Sequence, residues 1–252
     1  MPLPKVKKPV SLSHLNSWRM HRQFLDRPFG SNKLLDLINS IGWIYSPGCS
    51  TPYLSLWARL SSFKTEDLDK LVFDERKLVQ LETLRGCTML VPRNQAAVAL
   101  RIRPRTYTEL AKQVRQQMPV TDLEMDKLKT KLIQELEGGT RTSSQLDAAV
   151  PRTLIKDFPP ELKRIGFINS LSLALNLLKE EGRIIKIQTR KRLDSTEYSY
   201  ILLSQLLPDV DPFAMGNNEA WARLAAQYFK AESPARSKDF AWWAGINVTD
   251  AI

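Results

Sequence analysis

Between Arg183 and Arg192 the sequence RIIKIQTRKR carries five cations, Arg183, Lys186, Arg190, Lys191 and Arg192, and no acid. Such a run suits the phosphate backbone of a nucleic acid, where each Lys or Arg that neutralises a phosphate releases condensed counterions. Just upstream, in SLSLALNLLKEEG, Ser172, Asn176 and Lys179 stand four and three residues apart, a spacing that stacks them on one side of a helix. Asn can bond both groups on the major-groove edge of adenine, and Ser or Lys can reach a base or a phosphate. A merely solvated helix face has the same composition, and the spacing alone leaves both readings open.

Other chemistry is thinner. Asp122, Glu124 and Asp126 follow one another at intervals of two, which on a helix spreads them around the axis instead of pairing them for a metal. His14 and His21 are seven apart on one predicted helix side, as packed or surface histidines often are. Cys49 lies in a Pro/Gly/Ser loop with no His beside it in sequence, and Cys87 is the other of two cysteines. With no pairing pattern and no Cys/His cluster, a reducing compartment is expected and neither metal nor cofactor. Arg59 and Arg85 read either as structural arginines or as phosphate grips.

The elements that must position the cations follow from periodicity and caps. Thr121-Asp122-Leu123-Glu124 is a capping-box pattern opening a helix over 122–137. A second helix is predicted from Thr142-Ser143-Ser144 through Val150, and a third from Ser170 to Gly182, with Leu171, Ala174, Leu175 and Leu178 toward the core. Two alternating segments, RIIKIQTR and EYSYILLS, flank a turn at Arg192-Leu193-Asp194-Ser195. Helix, helix, helix, hairpin is the order of a winged helix, with the hairpin as the wing. Residues 10–92 show a similar order, four short helices and then LVQLETL and CTMLVP as a hairpin. The predicted fold class is therefore mainly α with short β-hairpins, in tandem winged-helix (helix-turn-helix) domains of which the third is incomplete. The expected divisions are a flexible basic arm at 1–9, a first winged-helix domain at 10–92, a helical connector at 93–119, a second winged helix at 120–207 and a truncated third at 208–252. Phe240, Trp242 and Trp243 in that last piece are expected to need cover from a protein partner or a missing C-terminal domain.

The 252 residues carry a net charge of +10 with 25% charged and 43% hydrophobic residues. That is an ordinary globular composition with an excess of cations, and it favours an anionic partner, duplex DNA before a membrane. No apolar run is long enough to span a bilayer. Cytoplasmic location is expected, nucleoid-associated in a bacterium or nuclear in a eukaryote.

Four stretches carry a family resemblance: HRQFL at 21–25, PYLSLWARL at 52–60, LETLRGCTMLVP at 81–92 and ARSKDFAWWAGI at 235–246. In order and spacing they resemble the winged-helix superfamily that includes the bacterial interstrand-crosslink DNA glycosylases and the azinomycin-resistance glycosylases. The resemblance implies three winged helices followed by a β-rich domain, the last of which is expected to be absent from this chain. It also implies a Gln, an aliphatic residue and a Gln or Asp that hold the attacking water. The matching stretch here is Trp43-Ile44-Tyr45-Ser46-Pro47, with Ser46 the one weak candidate, and Met89 and Cys87 replace the family's His and Thr. The expectation is a DNA-binding relative without the usual catalytic pair. An active glycosylase of alkylation or crosslink repair and a protein-interaction module are the alternatives.

Overall fold

The computed structural model describes residues 10–30 and 33–251, so the arm expected at 1–9 lies outside the described residues. α1 (Leu12–Arg22) is capped by Ser11, whose hydroxyl accepts the His14 N–H. α2 (Leu34–Ile41) buries Leu34, Leu37 and Ile38 at helical spacing and stops at Gly42, whose φ of 91° suits glycine. β1 (Ile44–Tyr45), α3 (Thr51–Trp57) and α4 (Thr65–Asp69) follow, the last continuing as a wider π-type turn over Lys70–Asp74. β2 (Leu78–Glu82) and β3 (Thr88–Pro92) close an antiparallel sheet in the order β1-β3-β2, with Leu90 between Ile44 and Gln80. Only a two-stranded hairpin was expected, because a two-residue strand has no periodicity to mark it.

Pro104 divides the helical connector expected at 93–119 into α5 (Ala96–Arg101) and α6 (Thr106–Gln113). α7 (Asp122–Glu137) carries the predicted capping box, Thr121 with Glu124. Glu124 also accepts from Lys156 Nζ at 2.6 Å, and these bonds hold its carboxyl down at about 2. β4 (Arg141–Thr142), α8 (Ser143–Ala149), α9 (Pro160–Arg164) and α10 (Ser170–Glu180) precede the hairpin β5 (Ile184–Gln188) and β6 (Tyr198–Leu202). The second sheet runs β4-β6-β5. α9 and β4 were not anticipated, being too short to show a period. α11 (Leu203–Leu206), α12 (Asn217–Glu232), α13 (Ser237–Ala244) and a final 3-10 turn over Val248–Ala251 complete the described chain.

The expectation that Phe240 and Trp243 need cover is corrected. Phe240 is 2% exposed, and its ring centroid lies 5.3 Å from Tyr228 and 5.8 Å from Phe229, while Trp243 lies 4.9 Å from Tyr228. α12 supplies the cover through an aromatic pair whose facing the sequence did not reveal. Trp242 is exposed, with the Arg85 guanidinium 5.8 Å from its ring.

Side-chain alternation along two strands explains how the cores meet. In β2 and β3, Leu78 and Leu90 face a core formed with Leu37, Ile38, Leu56 and Leu68, whereas Val79, Leu81 and Val91 face the opposite way. In β5, Ile184 joins the core of α7 and α10, and Ile185 points to the other face. Val79, Leu81, Ile185, Ile201, Leu224 and Phe240 thus share one central core to which both sheets contribute.

Leu193, in the predicted turn between the strands, is fully buried in the N-terminal core beside Tyr53. Its backbone N–H donates to Tyr53 Oη at 2.9 Å, and that hydroxyl donates to Asp69 Oδ1 at 2.5 Å. Leu193→Ala is expected to lower the unfolding free energy by about 2–5 kcal/mol, since it empties a packed site. Tyr53→Phe should cost about 1–3 kcal/mol by leaving a buried N–H and a half-buried carboxylate without their partner. Urea unfolding followed by tryptophan fluorescence measures both, and losses below about 0.5 kcal/mol would mean that the loop is not part of this core.

Candidate nucleic-acid interface

The cationic hairpin is tied down. In the loop 189–197 that joins β5 to β6, Arg190 pairs with Glu197 at 2.5 Å, Lys191 with Asp74 at 2.8 Å and Arg192 with Asp194 at 2.9 Å. The Asp194 carboxylate raises the Arg192 pKa further, and the guanidinium lies 5.8 Å from the Tyr53 ring. Burial pushes the Tyr53 phenol up and, beside it, the Asp69 carboxyl up. An insertion of Leu193 and a contact 117 residues away in sequence fix the loop. The three cations nonetheless keep 69%, 71% and 49% of their side-chain surface. Exposed ion pairs contribute at most about 1 kcal/mol each, so a phosphate can take the place of the surface carboxylates. Arg183 is exposed, with no acidic partner among the described residues.

The predicted base-reading face does not assemble as one outward surface. The Ser172 hydroxyl accepts the Asn169 N–H and donates to its carbonyl, completing a capping box with Asn169 as the cap. Lys179 is 13% exposed and bonds Glu82 Oε2 at 2.7 Å. Asn176 is half-buried and makes no side-chain hydrogen bond among the described residues. Leu171, Ala174, Leu175 and Leu178 face the core as expected, and Leu173 joins them. Lys186 places its ammonium 3.8 Å from the centre of the Tyr198 ring, away from the loop tip.

The stretch Trp43–Pro47 is the edge of the first sheet. Ile44 and Ser46 point inward and Tyr45 outward, 47% exposed. The Ser46 N–H donates to the Thr88 carbonyl at 2.9 Å. Ser46 is fully buried, and its hydroxyl accepts from Gln80 Nε2 at 2.6 Å. Gln80 escaped notice in the sequence, although a Gln inside LVQLE, 7% exposed in an otherwise apolar strand, is the signal for it.

On the other side of this stretch, Gly42, Trp43 and Tyr45 border a cavity of about 200 Å³ that α12 and α13 close with Gln227, Tyr228, Glu232 and Trp243. Glu232 Oε1 accepts from Gln23 Nε2 at 2.8 Å. Burial raises its pKa, outweighing the pull of Arg19 and Arg59. The buried side-chain amide nitrogen of Gln227 has no partner among the described residues.

The remaining candidates have structural partners. Arg59 donates to the Gln23 carbonyl at 2.9 Å and the Ser55 carbonyl at 2.7 Å, which makes it a brace between α1 and α3. His21 Nδ1 is 2.9 Å from Asp26, and His14 Nδ1 is 2.9 Å from the Ser11 hydroxyl. Cys49 is exposed, with its thiol pKa lowered chiefly by the Thr51 hydroxyl. Asp122 pairs with Arg115 and Asp126 lies 3.8 Å from Lys129, so that with Glu124 each acid of this run faces a separate cation. No described helix is long and apolar enough to cross a membrane.

Comparison with known proteins bears on this geometry in two ways. The DNA glycosylase AlkZ of Streptomyces sahachiroi has the same fold, with a TM-score of 0.68 at 21% sequence identity over 97% of this chain and 64% of that one. This chain therefore spans less than two thirds of its length. No curated protein matches. The family model for AlkZ-like DNA glycosylases matches residues 40–252, from the end of α2 through the Trp43–Pro47 stretch and both sheets to the last helices. The chain belongs to the AlkZ-like DNA glycosylase family.

Proposed function

We propose that this protein is a duplex-DNA-binding member of its family that lacks the family's water-holding pair. In this reading residues 10–92 and 120–207 are winged helices joined by a connector at 93–119, and residues from 208 onward begin a third. One observation carries the loss of the pair: Ser46, the candidate of the matched stretch, is fully buried with its hydroxyl already bonded to Gln80. With that bond made, the hydroxyl offers neither the paired donor and acceptor of a carboxamide nor the charge of a carboxylate to hold an attacking water. DNA binding rests on the net charge of +10 and on Arg183, Arg190, Lys191 and Arg192, which are exposed. Such a protein works where DNA is, in the bacterial cytoplasm or the eukaryotic nucleus.

Binding of a labelled duplex is expected to weaken steeply with salt. Replacing Arg190, Lys191 and Arg192 with Ala should lower the slope of log affinity against log salt by about 2–3, as release of counterions from three phosphates requires. An unchanged slope would remove this loop from the interface. No base should be released from alkylated or crosslinked duplex.

Glu232 favours a second reading, an active glycosylase with a relocated carboxyl group. Its pKa is raised, and it stands in the cavity beside Gly42–Tyr45. A carboxylic acid there can protonate a departing base, and as a carboxylate it can accept a proton from water. If base release is found, Glu232→Gln should abolish it, and Ser46→Ala should not. The same carboxyl predicts a stability signature. With a folded pKa above the unfolded one, its contribution is full below the ordinary glutamate range and is lost as pH rises through the raised value. Thermal melts of Glu232→Gln across that range should therefore lack a decline that the parent shows.

A further inference from the structure

Between the two sheets lies a small polar cavity, about 130 Å³, that belongs neither to the loop 189–197 nor to the pocket beside Glu232. Three cations from different parts of the chain border it: Arg103 after α5, Lys179 near the end of α10 and Lys186 in β5. Glu82 is the one acid in its lining. Glu82 bonds Lys179 at 2.7 Å through Oε2, and its backbone carbonyl accepts from Arg103 Nε at 2.8 Å. The Arg103 amino groups make no hydrogen bond among the described residues. Lys186 rests its ammonium on the Tyr198 ring, close enough to Lys179 that the two repel. Glu180, the other acid near Arg103, accepts the N–H groups of Tyr107 and Thr108 at 2.8 Å with its two oxygens. The cavity thus holds two positive charges more than negative.

Two glutamines border the same space. Gln188 is 4% exposed, and its buried Oε1 has no partner among the described residues. Gln80 lines the cavity, its amide nitrogen committed to Ser46. Buried acceptors beside excess cations suit an anion that brings its own proton. A phosphate monoester or inorganic phosphate has that form near neutral pH, since its second ionisation falls near pH 6–7. Sulfate has no proton to give.

We infer that the cavity formed by Arg103, Lys179, Lys186, Gln188 and Glu82 is a binding site for a phosphate group bearing a proton, either inorganic phosphate or a terminal phosphate monoester. The bridging phosphodiesters of a duplex, which carry no such proton, remain with the exposed cations of the loop 189–197. This site does not depend on the DNA-binding reading, because its first test uses no DNA.

The test is the thermal shift of the protein with inorganic phosphate, set against sulfate and chloride at matched ionic strength, with titration calorimetry for the affinity. Phosphate should stabilise saturably and above both. Lys186→Gln, a change at an exposed residue, should weaken phosphate about tenfold, the typical worth of one charge-assisted hydrogen bond. Glu82→Gln removes the competing carboxylate and should strengthen phosphate several-fold. A purely structural role for this cluster would not move the two variants in opposite directions. Phosphate acting no more strongly than sulfate or chloride, or both variants shifting the same way, would overturn the proposal. A second arm compares 5′-phosphorylated with 5′-hydroxyl oligonucleotide. Competition with inorganic phosphate by the phosphorylated strand alone assigns the site to a terminal monoester, and competition by neither assigns it to the free ion.

Discussion

Burial of both faces of the β2–β3 ladder is the constraint on which the rest depends. A strand with apolar side chains on alternate faces needs a core on each side. Leu78 and Leu90 find one with the N-terminal helices, and Val79, Leu81 and Val91 find the other with β5, β6 and the C-terminal helices. The arrangement holds β1 rigidly at the sheet edge, between the cavity closed by α12 on one side and the polar space beside β5 on the other. Polar groups in the middle of such a sheet must be matched, and Ser46 and Gln80 match each other.

Much of the helical framework was legible in the sequence because caps and periodicity are local signals. The box at Thr121 and Glu124, the helix start at Thr142 and the inward row Leu171, Ala174, Leu175, Leu178 each need only neighbours within a few residues. β1, β4 and α9 were not legible, because two to five residues cannot show a period and their existence is owed to partners far along the chain. The facing of Phe240 and Trp243 failed for the same reason: an aromatic helix looks unpartnered until Tyr228 and Phe229 are known to lie opposite.

The candidate site was legible as composition but not as pairing. Cations concentrated at 183–192 were plain to see, yet the acids that meet them, Asp74, Asp194 and Glu197, come from both near and distant sequence. Lys179 and Lys186, which read as parts of a recognition helix and a wing, border one cavity with Arg103. The sequence places Ser46 within the matched stretch, but the glutamine that occupies it stands 34 residues on, across the sheet.

The insertion of Leu193 has a consequence for how the chain is made. The N-terminal core is completed by the side chain of Leu193, whose backbone N–H donates to Tyr53, 140 residues earlier in the chain. At the roughly 5–20 residues per second of protein synthesis, that partner waits about 7–28 s for Leu193 to be added. During this interval the first sheet has neither its last core residue nor the β5–β6 hairpin against its second face. Folding of the N-terminal part as an independent early unit is thereby disfavoured, and its apolar surface stays open on the ribosome until the last third of the chain arrives to close it.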